Sequence, residues 1–154
     1  MRTVSKTGNG VDFGTQSARA VLVNAENGEI IYSCRKEYPY NSTPVPAIDC
    51  AENLPCATDY EMTLYELLRN VIPEEYRKTV AGICIDATSL TMVLLAEDGR
   101  ALSELDGWSE AAHARVKLWK YHRAQEKADE ALNLASNLQE PFLGRTGGSI
   151  SCEW

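Results

Sequence analysis

The chain has 154 residues and a mass of 17.0 kDa, with 44% hydrophobic and 24% charged residues, enough apolar material for one ordinary globular core. A formal net charge of -7, a pI near 4.9 and the lack of any basic run exclude a nucleic-acid partner, because phosphate backbones recruit clustered Lys and Arg. No apolar run approaches the roughly 20 residues that cross a bilayer, and the polar start (residues 1–6) has no signal-peptide core, so no membrane partner and a cytoplasmic location are expected.

Residues 11–13 lead into the small polar turn Gly14-Thr15-Gln16-Ser17, and 18–23 supply a β-rich run. Asn27-Gly28 tolerates the positive φ angles of a two-residue hairpin turn, which predicts an antiparallel strand over 29–38. Pro39, Pro44, Pro46 and Pro55 then punctuate a long loop over 39–57. Thr58 and Glu61 form a capping-box signature, and Tyr60, Leu64, Leu67, Leu68 and Val71 recur at helical spacing, so a helix is predicted over 58–72, ended by Pro73.

Residues 80–87 (VAGICIDA) form a near-continuous apolar run with Asp86 at its end, the pattern of a strand buried on both faces. Segments 92–96 and 100–102 flank Asp98-Gly99 as a second hairpin. Residues 115–119 alternate, with Val116 and Leu118 on one side and Arg115, Lys117 and Trp119 on the other; a strand fits, and so does a helix starting near Ala111, so the strands of the second half lie within 80–119. Ala124, Ala128, Ala131, Leu132, Ala135 and Leu138 make an apolar stripe that predicts a helix over 121–138, with Pro141 beyond it and a tail over 139–154. Cys34, Cys50, Cys56, Cys84 and Cys152 have no CxxC spacing and read as reduced thiols, and His113 and His122 match no metal-ligand spacing.

The richest chemistry lies in Gly10-Val11-Asp12-Phe13-Gly14-Thr15-Gln16-Ser17. A hairpin tip with these residues offers a carboxylate for a metal-bound water, hydroxyls, and a glycine that lets phosphate oxygens approach the backbone. The same Asp12 and Gly14 can equally serve only to shape a turn. Asp12-Phe13-Gly14 also spells the protein-kinase DFG, but no Gly-rich loop, VAIK or HRD precedes it. Asp86 reads either as a site carboxylate or as a strand-end group bonded to nearby backbone.

The run GVDFGTQSARAVLV (10–23) resembles the phosphate-binding hairpin of sugar kinases in the actin/Hsp70/hexokinase superfamily. GICIDAT with Thr91-Met92 is similar to the buried strand and turn where ribulokinases carry a GVDFTACTM-like run. HARVKLWKYH (113–122) resembles their HxWVKLWKHH segment, and GGSISCEW (147–154) their GGKISSEW. By these motifs, from about residue 10 to its last residue, the chain is identified as resembling the N-terminal part of an FGGY-type carbohydrate kinase of the ribulokinase branch.

The resemblance implies an α/β fold: a truncated, ribonuclease H-like N-terminal half-domain with a mixed sheet and flanking helices. It implies that Asp12, Gly14, Thr15 and Ser17 face ATP and Mg²⁺, Asp12 through a water, and that Ser89 and Trp119 line the site of a ketose or ketopentose, with Asp86 a further candidate. Without the resemblance Trp119 reads as an ordinary packing residue. In the family the general base and most of the nucleotide site lie in sequence absent here, so no catalytic residue is expected in this chain, and it is expected to be inactive alone. Self-association through exposed sheet edges is expected. The other reading is a non-catalytic sugar-binding or self-assembling module. Ser5-Lys6-Thr7-Gly8-Asn9 is polar where the family's first strand is apolar, so an irregular strand is expected there; Ser89-Leu90 stands in place of Ala-Cys and Cys152 in place of Ser, which implies an altered sugar pocket.

Overall fold

The computed structural model describes residues 5–39, 55–119 and 121–153. It divides into two compact units, one running up to Thr88 and including Val93–Val116, the other made of Ser89–Met92 and the residues from Lys117 on. Most of the 39–57 loop, with Pro44, Pro46 and Cys50, lies outside the described residues.

The first unit is a four-stranded mixed sheet with one helix on it. Its elements are β1 (Thr7–Phe13), β2 (Ser17–Asn24), β3 (Ile30–Glu37), α1 (Ala57–Val71) and β4 (Val80–Ala87), and the sheet order is β3-β2-β1-β4. β1 pairs antiparallel with β2 and β2 with β3, whereas β4 joins β1 in parallel. Alternation decides the faces. Val11 and Phe13 of β1 and Ala18, Ala20 and Leu22 of β2 are buried in one cluster with Tyr38 and with Leu67 and Val71 of α1. Leu67, only 1% exposed, contributes about 1.5–3 kcal/mol by its removal from water.

The polar start of β1 keeps its pairing with both neighbours, regular against β2 but with one register shift against β4 between Thr7 and Gly8, where the expected irregularity lies. β1 is hydrogen-bonded on both sides, and Thr7 and Asn9 are buried within it, Thr7 through an Oγ1 contact of 3.2 Å to the Thr79 hydroxyl. The ladder uses backbone groups that every residue carries, so two neighbouring strands override side-chain polarity.

Other expectations are corrected by the neighbours each element meets. The N-cap of α1 is Cys56, whose N–H donates to the Asp59 carboxylate at 3.1 Å; the capping box lies two residues ahead of the Thr58–Glu61 pair, and Thr58 is inside the first turn. The Asn27-Gly28 turn is a longer loop closed by Gly28 N–H to Asn24 C=O and Asn24 N–H to Glu29 C=O, both 2.9 Å, with Gly28 at φ 75°. β4 is not buried on both faces: it is an edge strand, and Ile83 and Ile85 are 51% and 57% exposed. The Asp98-Gly99 turn forms, but its arms share only the single bridge Leu95–Ala101 instead of a two-stranded hairpin. Residues 115–119 are neither strand nor helix. Arg115 is buried there, donating from Nη1 to Cys56 Sγ (2.9 Å) and from Nη2 to the Ser109 carbonyl (3.1 Å).

In the second unit a short 3-10 turn, His122–Ala124, leads into α2 (Gln125–Asn137). Its apolar stripe is narrower than the sequence implies: Ala128 and Ala135 are buried, while Leu138 is 63% exposed. The helix stops in a Schellman motif, with Gln139 N–H bonded to Ser136 C=O (3.1 Å) and Glu140 N–H to Ala135 C=O (2.9 Å).

Candidate functional site

Asp12 and Asp86 sit side by side. Parallel pairing puts them in register near the C-terminal ends of β1 and β4, and antiparallel pairing puts Arg19 of β2 on the other side of Asp12. Arg19 Nη1 donates to Asp12 Oδ2 at 3.0 Å, and Asp86 Oδ1 accepts the N–H of Ala87 at 2.9 Å. With Gly10, Val21 and Cys84 these side chains line a shallow depression of about 310 Å³. Strand alternation places it on the face opposite the α1 core. The Asp12–Arg19 pair is well exposed, 44% and 61%, so it contributes little stability and is open to exchange for another charged partner.

The hairpin tip is tied from several directions. Gly14 N–H donates to the Ser17 carbonyl (3.1 Å), and the Gly14 carbonyl accepts the Tyr38 hydroxyl (2.9 Å). A Cβ on Gly14 would stand 3.0 Å from the Ser17 backbone oxygen, which explains glycine at this position. Burial, then the charges of Tyr60, Asp12 and Asp59, push the Tyr38 phenol far up, so it remains a neutral donor. Thr88 closes the other end: its N–H and its hydroxyl both donate to the Phe13 carbonyl at 3.0 Å, binding the end of β4 to that of β1.

Thr15 is half-exposed at the tip. Ser17 is 4% exposed and its Oγ accepts Arg35 Nε–H at 3.0 Å, so β3 engages its hydroxyl. Ser89 and Trp119 belong together to the second unit, where Met92 and Lys117 exchange two backbone bonds of 2.9 and 3.0 Å. Trp119 is 41% exposed while its neighbours Val116 and Leu118 are buried, so it is not a core tryptophan. Arg19, Arg35 and Tyr38 were not singled out in the sequence; the four-residue turn Gly14–Ser17 pairs position 13 with 18 and 12 with 19, which would have made Arg19 legible.

Among the described residues no group of three or more His, Cys, Asp or Glu side chains could hold a metal, and no helix is long and apolar enough to cross a membrane. The Asp12 and Asp86 carboxylates nevertheless suit Mg²⁺, which takes one or two carboxylates, keeps several waters and completes its shell with phosphate oxygens.

No protein-family model matches the chain. Ribulokinases do. The ribulokinase of Halalkalibacterium halodurans is 33% identical over 153 residues, 94% of this chain and 27% of that protein, and the ribulokinase of Mycolicibacterium smegmatis is 35% identical over 155 residues, with the same coverage of each chain. Over 94% of its own length the chain is similar to ribulokinases. It spans about a quarter of the length of these relatives. The xylulose kinase of Lactobacillus acidophilus, solved with a ligand bound, superposes with a TM-score of 0.59 over 87% of this chain and 24% of its own, at 17% identity, and carries the sugar-kinase fold. In open α/β sheets ligands bind outside the carboxyl ends of the strands, and the C-terminal ends of β1 and β4 carry Asp12 and Asp86.

Proposed function

We propose that this chain supplies the phosphate-facing wall and part of the sugar site of an ATP-dependent kinase that phosphorylates a ketose of the L-ribulose type. The observation that carries this reading is the in-register pair Asp12 and Asp86 at neighbouring strand ends, beside a tip whose tight turn requires glycine at position 14. Asp12, through water, and Asp86 are the residues to hold Mg²⁺, which when bound neutralises charge on the transferring phosphoryl group. Arg19 keeps the Asp12 carboxylate aimed along the sheet, and Ser17 supports the tip by holding Arg35. Thr15 and Gly14 face the phosphates. Ser89 and Trp119 line the ketose site, the indole face against sugar C–H groups.

Phosphoryl transfer needs both substrates in line and a base for the attacking hydroxyl, so the 154-residue chain assayed alone is inactive in this reading. The chain also self-associates, because Ile83 and Ile85 stand exposed on the edge strand β4; a monomer by light scattering at micromolar concentration would contradict that.

The decisive test is coupled ADP release with L-ribulose, D-ribulose and D-xylulose, on the chain alone and joined to the remaining length of a homologous ribulokinase. Activity should appear only in the joined protein, with Asp12→Ala lowering kcat by about 100-fold or more and leaving sugar affinity nearly unchanged. An unaffected kcat would remove Asp12 from the phosphate site.

A further inference from the structure

Among the described residues two non-glycines have left-handed backbone, Gln139 at φ 55° and Leu90 at φ 56°. Gln139 has a local reason, since the Schellman stop of α2 requires that conformation. Leu90 ends no helix. It sits with Ser89 in the turn just beyond β4, where a positive φ suits Gly or Asn and crowds a leucine Cβ against the following carbonyl.

Its neighbours break further rules. Leu90 is 41% and Met92 64% exposed, while the Thr91 hydroxyl between them is buried without a hydrogen-bond partner. Folding favours neither exposed apolar groups nor a buried unpaired hydroxyl, and such departures gather where a ligand is handled. The Met92–Lys117 rung is antiparallel, so Leu90 and Trp119 stand two residues out from it on facing arms. Trp119 is 41% exposed, like Leu90.

We propose that Leu90 is a specificity-determining residue of the sugar site, forming with Trp119 an apolar jaw that takes the C–H face of a ketose. This rests on the reading of Ser89 and Trp119 as sugar-facing and names what that site selects: ketoses with a contiguous C–H face for the jaw and a hydroxyl for Ser89. The left-handed backbone is retained because it presents the Leu90 side chain to the ligand. Glycine at this position relaxes the backbone and removes the jaw at once, which separates a ligand role from a framework role.

The experiment compares the full 154-residue chain with L90G and the conservative L90M. Saturation-transfer NMR of L-ribulose and D-xylulose at millimolar concentration measures binding, and thermal unfolding is recorded alongside. L90G is expected to melt above the wild type yet bind ketose about fivefold or more weakly, and L90M to bind within about twofold of the wild type. L90G binding as tightly as the wild type would overturn the role of Leu90 and leave the sugar site standing. L90G melting below the wild type with weakened binding would make Leu90 a framework residue and overturn the proposal. No ketose response from the wild-type chain would overturn both the sugar site and this inference.

Discussion

Gly10, Gly14 and Gly82 provide an internal control for the claim that the hairpin tip requires glycine. In Gly14→Ala the new Cβ meets the Ser17 backbone oxygen at 3.0 Å. That oxygen cannot retreat freely, because it accepts the Gly14 N–H that closes the turn at 3.1 Å, and the Gly14 carbonyl is itself held by Tyr38 at 2.9 Å. Overpacking against fixed backbone costs about 1–3 kcal/mol. In Gly10→Ala the nearest atom is Val21 Cγ2 at 3.2 Å, a side-chain methyl that can turn aside, so the change stays within about 1 kcal/mol. Gly82→Ala meets nothing within 4 Å and its φ is not positive; a less flexible unfolded chain then stabilises the protein by about 0.4–1 kcal/mol. Urea unfolding followed by circular dichroism should order the midpoints Gly82→Ala, wild type, Gly14→Ala from highest to lowest, with the m-value unchanged. A Gly14→Ala midpoint at or above that of Gly82→Ala would refute the steric argument for the tip.

Tyr38→Phe should destabilise by about 1 kcal/mol in the same assay, because it removes the bond to Gly14, whereas Tyr60→Phe should be close to neutral, since the buried Tyr60 hydroxyl has no hydrogen-bond partner. Burial, followed by the Asp59 charge, pushes Tyr60 up to about 12, and burial raises Tyr38 further. The fold therefore prefers both phenols neutral, and their contribution is complete below the unfolded value of about 10 and lost as pH rises beyond it. The urea midpoint should fall above about pH 10, less steeply in the Tyr38→Phe/Tyr60→Phe double variant. Leu67→Ala should cost about 2–5 kcal/mol by calorimetry or urea titration, as a cavity in the α1–sheet cluster. With a thiol reagent, exposed Cys84 should react before Cys34 and Cys56, whose thiols burial pushes up.

What the sequence determined by itself is chemistry confined to a few neighbouring residues. Leu64, Leu67, Leu68 and Val71 marked the packed face of α1, Gly28 and Gly99 marked turns that need positive φ, and the Asp12–Gly14 motif with its family resemblance marked the candidate site. Tertiary structure alone decided the matters that depend on which distant strand lies alongside. The polar residues Thr7 and Asn9 became part of a central strand, with one register shift against β4 at Thr7/Gly8, because β2 and β4 both supply backbone partners. The apolar run of β4, written like a doubly buried strand, became an exposed edge, since an apolar sequence states a preference for burial and cannot name what covers it. Asp12 acquired Arg19 on one side and Asp86 on the other only through two pairings, one closed by a short turn and one reaching across α1. Spacing along the chain carries the first of these weakly and the second not at all, because a crossover fixes its register through the packing of the whole element.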